Sequence, residues 1–282
     1  MDIKHRISIN SKKDAEFMSA IIELGIDHKA IELPGGASKL ITFVIAESDP
    51  RWEMVAKLVK SHNEFEIYGP GDLLETVFSD EEIKGAEWLW LKSTFEQGYP
   101  QPKPHWPIKQ LSYEIICPKC AIYKQTNSMR LAKEPSLGRK SFMSLIWAGE
   151  IFCTPEVIRG LEEIKAKGYE AWDAVIHKTA RPSERVRQLY VPGIASPGVI
   201  IDDDLERKIC PVCGTTKYYP HVKGIMYLKR EALLPDTDFM LTHEWFGFGL
   251  LAWREMLVSN RVASLILNKG WGGVRFKVVE LV

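Results

Sequence analysis

Scarcity narrows this sequence first. Five cysteines in 282 residues are too few for a disulfide-dense secreted scaffold, and four of them stand in CxxC pairs, which suits a metal in a reducing compartment. No run approaches the roughly 18 uninterrupted apolar residues of a membrane span, and the opening MDIKHRISIN has no apolar signal core. The expectation is a cytoplasmic protein with no membrane partner. Net charge is also missing, with 37 Lys/Arg against 37 Asp/Glu, so there is no long-range field to gather nucleic acid nonspecifically. His105, His177 and His221 stand at no ligand spacing from an acid or another histidine. Phosphate-cradling glycine loops, HExxH and nucleophile elbows do not occur. No catalytic residue is assigned.

What is present is ample core material, 45% apolar residues, in a length that favours two domains. Charge is segregated. Residues 1–100 carry 11 Lys/Arg against 18 Asp/Glu, and residues 101–282 carry 26 against 19. In the acidic part the pattern predicts a strand at 5–10, a helix capped by Ser11 through about Glu23 and strands at 29–33 and 40–46 around Pro34-Gly35-Gly36. A helix capped at Ser48 or Asp49 and a strand at 65–68 follow. This β-α-β-β-α-β order is the ferredoxin-like pattern, with both helices on one face of a sheet. A short helix after Ser79 and a strand at 88–91 bridge onward. Four prolines within residues 100–107 favour extended backbone. The expected domains are therefore an acidic ferredoxin-like domain over 1–97, a proline-rich linker over 98–109 and an α+β domain over 110–282.

That last domain is organised by Cys117-Pro118-Lys119-Cys120 and Cys210-Pro211-Val212-Cys213-Gly214. Each pair supplies half of a tetrahedral thiolate shell, so Cys117, Cys120, Cys210 and Cys213 are expected to hold one structural Zn²⁺ per chain. Gly214 provides the positive-φ position that such a knuckle needs, whereas Ala121 occupies it in the first, leaving that turn strained or differently shaped. The knuckles head two similar segments. Met129-x-Leu131 is matched by Met226-x-Leu228, and Phe142-Met143 follows at the same 13-residue distance as Phe239-Met240. Residues 151–158 resemble 256–263: a strand, a Thr or Ser cap, then a helix. The expectation is a duplicated zinc-centred domain with one CxxC per half. Cys153 falls opposite Val258 in this alignment and reads as a small core hydrophobe. Residues 181–187 and 192–197 read as loops.

Two stretches are candidate recognition surfaces. His243, Glu244 and Trp245 open an aromatic, glycine-containing run that suits a protein partner, with a core strand as the plainer reading. Lys119, Lys124, Arg130, Arg139 and Lys140 make the segment after the first knuckle basic, which suits nucleic acid, with a solvated face as the plainer reading. The paired knuckles, with the closing stretch from Val258 to Val279, resemble the double-CxxCG-motif proteins of bacteria and the C-terminal ending of immunity proteins of polymorphic toxin systems. The resemblance implies a zinc-bearing binding protein without catalysis of its own. The readings carried forward are a non-catalytic zinc-stabilised protein-binding module, immunity-like in form, and a zinc-knuckle nucleic-acid-binding protein.

Overall fold

The computed structural model describes residues 1–61, 73–103, 111–146, 148–201 and 205–282. The chain divides into two compact units, Met1–Ser79 with Val222–Gly224, and Asp80–His221 with Ile225–Val282.

The first unit has the expected β-α-β-β-α-β order: β1 (Asp2–Asn10), α1 (Ala15–Glu23), β2 (His28–Glu32), β3 (Lys39–Ala46), α2 (Trp52–Ser61) and β4 (Leu73–Val77). Its antiparallel sheet runs β2-β3-β1-β4. Strand alternation sends Ile7 and Ile9 of β1 and Ile41, Phe43 and Ile45 of β3 to one face, where they bury against Phe17 and Ile21 of α1 and Val55 of α2. The strand expected at 65–68 lies outside the described residues, and β4 completes the sheet. Ser11 does not cap α1. Its hydroxyl accepts from Lys39 N at 2.8 Å, and Asp14 stands at the N-cap instead.

The second unit opens with α3 (Asp80–Gly85) and β5 (Trp88–Ser93). A hairpin of β6 (Tyr113–Cys117) and β7 (Ile122–Gln125) carries the first knuckle. Then come β8 (Arg130–Leu131), β9 (Phe142–Ser144), β10 (Ile151–Cys153), α4 (Pro155–Glu163), β11 (Glu170–Ile176), β12 (Arg181–Tyr190) and β13 (Val199–Ile200). The second knuckle joins β14 (Arg207–Ile209) to β15 (Thr216–Tyr218). Last come β16 (Met226–Leu228), β17 (Phe239–Leu241), β18 (Trp245–Phe246), β19 (Met256–Ser259), α5 (Asn260–Asn268) and β20 (Val274–Leu281).

Two sheets form its core, ordered β8-β11-β12-β10-β9 and β13-β16-β20-β5-β19-β17. Setting aside the edge strand β13, the pairings run in the same sense in both: one parallel pair, then three antiparallel pairs. Phe142 pairs with Cys153 as Phe239 pairs with Val258. β5, which precedes the first knuckle, sits between β20 and β19, and β12, which precedes the second, sits between β11 and β10. Past β5 the chain crosses to β9, where Ser144 N donates to Phe95 O at 2.9 Å; past β12 it crosses to β17, where Leu241 N donates to Gly193 O at 2.8 Å.

The segment 181–187, expected as a loop, is thus the start of a ten-residue central strand. Its pairing with β11 shifts register between Arg187 and Pro182, so Glu184 and Arg185 are both exposed, and with Ser183 and Gln188 as buried polar positions no simple alternation is left to read. Of the expected linker, residues 98–103 are described. Gly98 O accepts from Ile146 N at 2.8 Å, and Gln101 N donates to Arg130 O at 3.1 Å.

Candidate metal centre

Each knuckle is a tight turn closing a hairpin. In the first, Ala121 N donates to Cys117 O at 2.8 Å; in the second, Gly214 N donates to Cys210 O at 2.9 Å. Both residues sit in the left-handed region, Ala121 at φ 61° and Gly214 at φ 71°. The turns therefore share one shape, and Ala121 bears the strain that glycine avoids.

The hairpins bring together cysteines 93 residues apart. Cys117 Sγ lies 3.8 Å from Cys210 Sγ, and Cys120 Sγ lies 3.6 Å from Cys213 Sγ. All four sulfurs fall within 4.8 Å of one another. A tetrahedral ion with metal–sulfur bonds of about 2.3 Å sets its ligands about 3.8 Å apart, whereas a disulfide needs about 2.05 Å. The spacing fits four thiolates around one metal ion. Cys117, Cys120 and Cys210 are buried, and Cys213 is exposed.

The surroundings favour thiolate on the second knuckle. The N–H groups of Cys213 and Val212 aimed at the Cys210 sulfur hold its pKa below the usual thiol value. Hydrogen bonds from Thr215 bring Cys213 down to about 6. Burial pushes Cys120 up to about 12, so its ionisation calls for a nearby positive charge such as a bound metal ion would supply. Lys217, 5% exposed, spends its three N–H groups on the carbonyls of Cys120 (3.0 Å), Gly249 (2.8 Å) and Leu251 (2.9 Å). It sets one positive charge beside the sulfurs and ties the first knuckle to the 249–251 loop.

Trp245 packs against the cysteine cluster. Its ring meets Tyr123 edge-on at 5.8 Å and carries the Arg254 guanidinium at 4.4 Å. The Glu244 carboxylate accepts from Gly198 N (2.9 Å) and Val199 N (3.2 Å). His243 is exposed, and its carbonyl accepts from Arg254. The basic candidates are spread over several elements. Lys119 is exposed in the first knuckle and Lys124 on β7, Arg130 is half-buried on β8, and Arg139 and Lys140 are exposed before β9, with the Lys140 ammonium 5.2 Å from the Phe95 ring. Cys153 is fully buried on β10, and burial lifts its thiol to about 12, as befits a core residue.

The residues that sequence reasoning missed are polar ones inside: Lys217, Glu150, Gln188 and Glu255. Nothing in their local pattern separates them from surface residues, because partners distant in the chain bury them. No helix among the described residues is long and apolar enough to cross a membrane. No protein-family model and no curated protein matches the chain.

Proposed function

We propose that the chain is a non-catalytic protein-binding module stiffened by one structural zinc ion, held by Cys117, Cys120, Cys210 and Cys213. Four thiolates at tetrahedral spacing fill the coordination shell and leave no position for substrate. The observation that carries the protein-binding half is the apolar rim of this centre. Ile116, Ile209 and Val212 flank the cysteines at 58%, 64% and 69% exposure, and Phe248 and Leu250 are exposed on the loop gripped by Lys217. Exposed apolar side chains gathered on a metal-stiffened scaffold suit a protein partner. The resemblance to immunity proteins gives this reading its specific form, a partner-neutralising role. A duplicated architecture belongs to the same reading, supported by the shared strand order and by the matching registers of β9–β10 and β17–β19.

Elemental analysis of protein purified without chelator should return about one zinc per chain, and Cys117→Ser with Cys210→Ser should lose it. Stoichiometry near zero would overturn the metal assignment. For the partner, the natural test is co-purification from the native cell, comparing the wild type with Val212→Ser plus Phe248→Ala. A protein retained by the former and lost by the folded variant supports the reading.

One observation favours the second reading. Lys119 and Lys124 stand exposed on the same knuckle hairpin, where they could meet phosphate. Affinity for mixed DNA or RNA that falls steeply between roughly 50 and 200 mM salt would move the assignment to nucleic acid; weak or absent binding is expected.

A further inference from the structure

The second unit holds a cavity of about 510 Å³, within the range of roughly 300–1,000 Å³ typical of small-molecule sites. Its wall comes from both large sheets, from β7 and from β18. Three polar residues of the wall matter here: Glu150 is half-buried and Gln188 and Glu255 are buried, and the first two have buried atoms with no hydrogen-bond partner.

Glu150 is the first. Its Oε1 accepts from the hydroxyls of Tyr113 and Tyr123 (the latter at 3.0 Å), while its Oε2 is buried without a hydrogen-bond partner. Burial, then the Glu150 charge, hold both phenols well above their usual pKa, so they remain donors. No lysine or arginine among the described residues forms an ion pair with Glu150. Of the wall's three cations, Arg254 lies over Trp245 and donates to two carbonyls, Lys92 lies above the Trp90 ring, and Lys124 is exposed on β7.

Gln188 is the second. It is fully buried, and its Oε1 accepts from Met129 N at 2.8 Å and from Ser128 Oγ at 3.4 Å. Those donors fix the amide's orientation and leave Nε2 without a partner. Gln188 pairs with Phe152, two residues beyond Glu150, so strand alternation sets Gln188 and Glu150 on one face. The third is Glu255, which immediately precedes β19 as Glu150 precedes β10 and accepts from Trp253 Nε1 at 2.8 Å. Between these groups the wall offers the rings of Trp90, Tyr190 and Trp245.

We propose that this cavity binds a small organic cation bearing N–H donors, an amine or amidine, that donates to Glu150 Oε2 and lays its apolar body against the aromatic wall beside Gln188. A buried carboxylate without a counter-charge is costly, and a cation supplies that charge where π faces also attract it. The inference goes beyond the protein-binding reading and stands or falls separately from it.

The test is titration of the full zinc-loaded chain with benzylamine and benzamidine, against benzyl alcohol and benzoate, followed by the indole N–H resonances of Trp90, Trp245 and Trp253. Saturable binding of the two cations with Kd of roughly 1 mM or tighter, at least about tenfold stronger than the alcohol or benzoate, is expected. Glu150→Gln should weaken cation binding by about tenfold with the circular dichroism unchanged. Should that variant fail to fold, the ratio of amine to alcohol affinity on the wild type decides. Lack of saturation, preference for benzoate, or equal binding by folded Glu150→Gln would overturn the proposal.

Discussion

Ala121 holds a left-handed conformation at φ 61° that a Cβ disfavours. Relief of about 1–2 kcal/mol of steric cost, offset by about 0.5–1 kcal/mol of extra chain entropy in the unfolded state, leaves Ala121→Gly more stable by roughly 0.5–1 kcal/mol in denaturant titration. Gly214→Ala should cost roughly 1 kcal/mol or more. Glu255 supplies a pH signature. Burial raises its pKa from 4.5 to about 7, so the folded state holds a proton that the unfolded chain releases earlier. Its contribution to stability is full below pH 4.5 and is lost as pH climbs through 7. Glu255→Gln keeps the acceptor for Trp253 and does not titrate. Its stability relative to wild type should start near zero at pH 4.5 and rise by on the order of 1–3 kcal/mol by pH 8; a pH-independent difference would contradict this assignment. At this scale the sequence was legible where residue identity dictates chemistry, as with the four cysteines. It was opaque where burial decides. Lys217 and Gln188 look like surface residues until chain 32 to 97 positions away covers them.

Helices α4 and α5 show how far element-level reading reaches. Each starts after a Thr or Ser as expected, yet neither hydroxyl caps its helix; Ser259 Oγ donates to Asp238 at 2.7 Å instead. Asp238 also accepts from Lys167 N at 2.9 Å and pairs with Arg261. These partners outweigh burial, and the carboxyl lies below 3.8. Such a group stabilises the fold above pH 3.8, and the stability is lost as pH falls through the lower folded value. Asp238→Asn should therefore cost about 1–3 kcal/mol near neutrality, with the deficit shrinking toward pH 3. The α4 face contains Gly160, where an added Cβ would collide with the Trp271 ring. Gly160→Ala should lower stability by about 1–3 kcal/mol in thermal melts. Strands of the first unit were readable from strict alternation, as in Ile41, Phe43 and Ile45. The ten residues of β12 were not, since Ser183 and Gln188 take inward positions and no local signal marks a strand completed by β10 and β11.

At the scale of the whole molecule, one sheet of the second unit takes its strand β5 from far ahead of the rest, while the other, β8-β11-β12-β10-β9, is built wholly from residues 130–190. A chain cut in the turn between β11 and β12 gives a fragment with β5 but not its partners, and another with β12 but not its partners. Residues 80–178 and 179–282, prepared separately, should each lack a cooperative thermal transition. Mixed with zinc they should regain one. Independent folding of either fragment would show that its missing middle strand is dispensable. The same feature sets a timetable for synthesis. β5 contains Trp88-Leu89-Trp90-Leu91, and its neighbours β19 and β20 begin 163 and 181 residues after it ends. At about 5–20 residues per second a ribosome takes roughly 8–36 s to deliver them. Through that interval an apolar tetrad of high strand propensity waits unpaired on the nascent chain. It is there that a holding chaperone has most to protect.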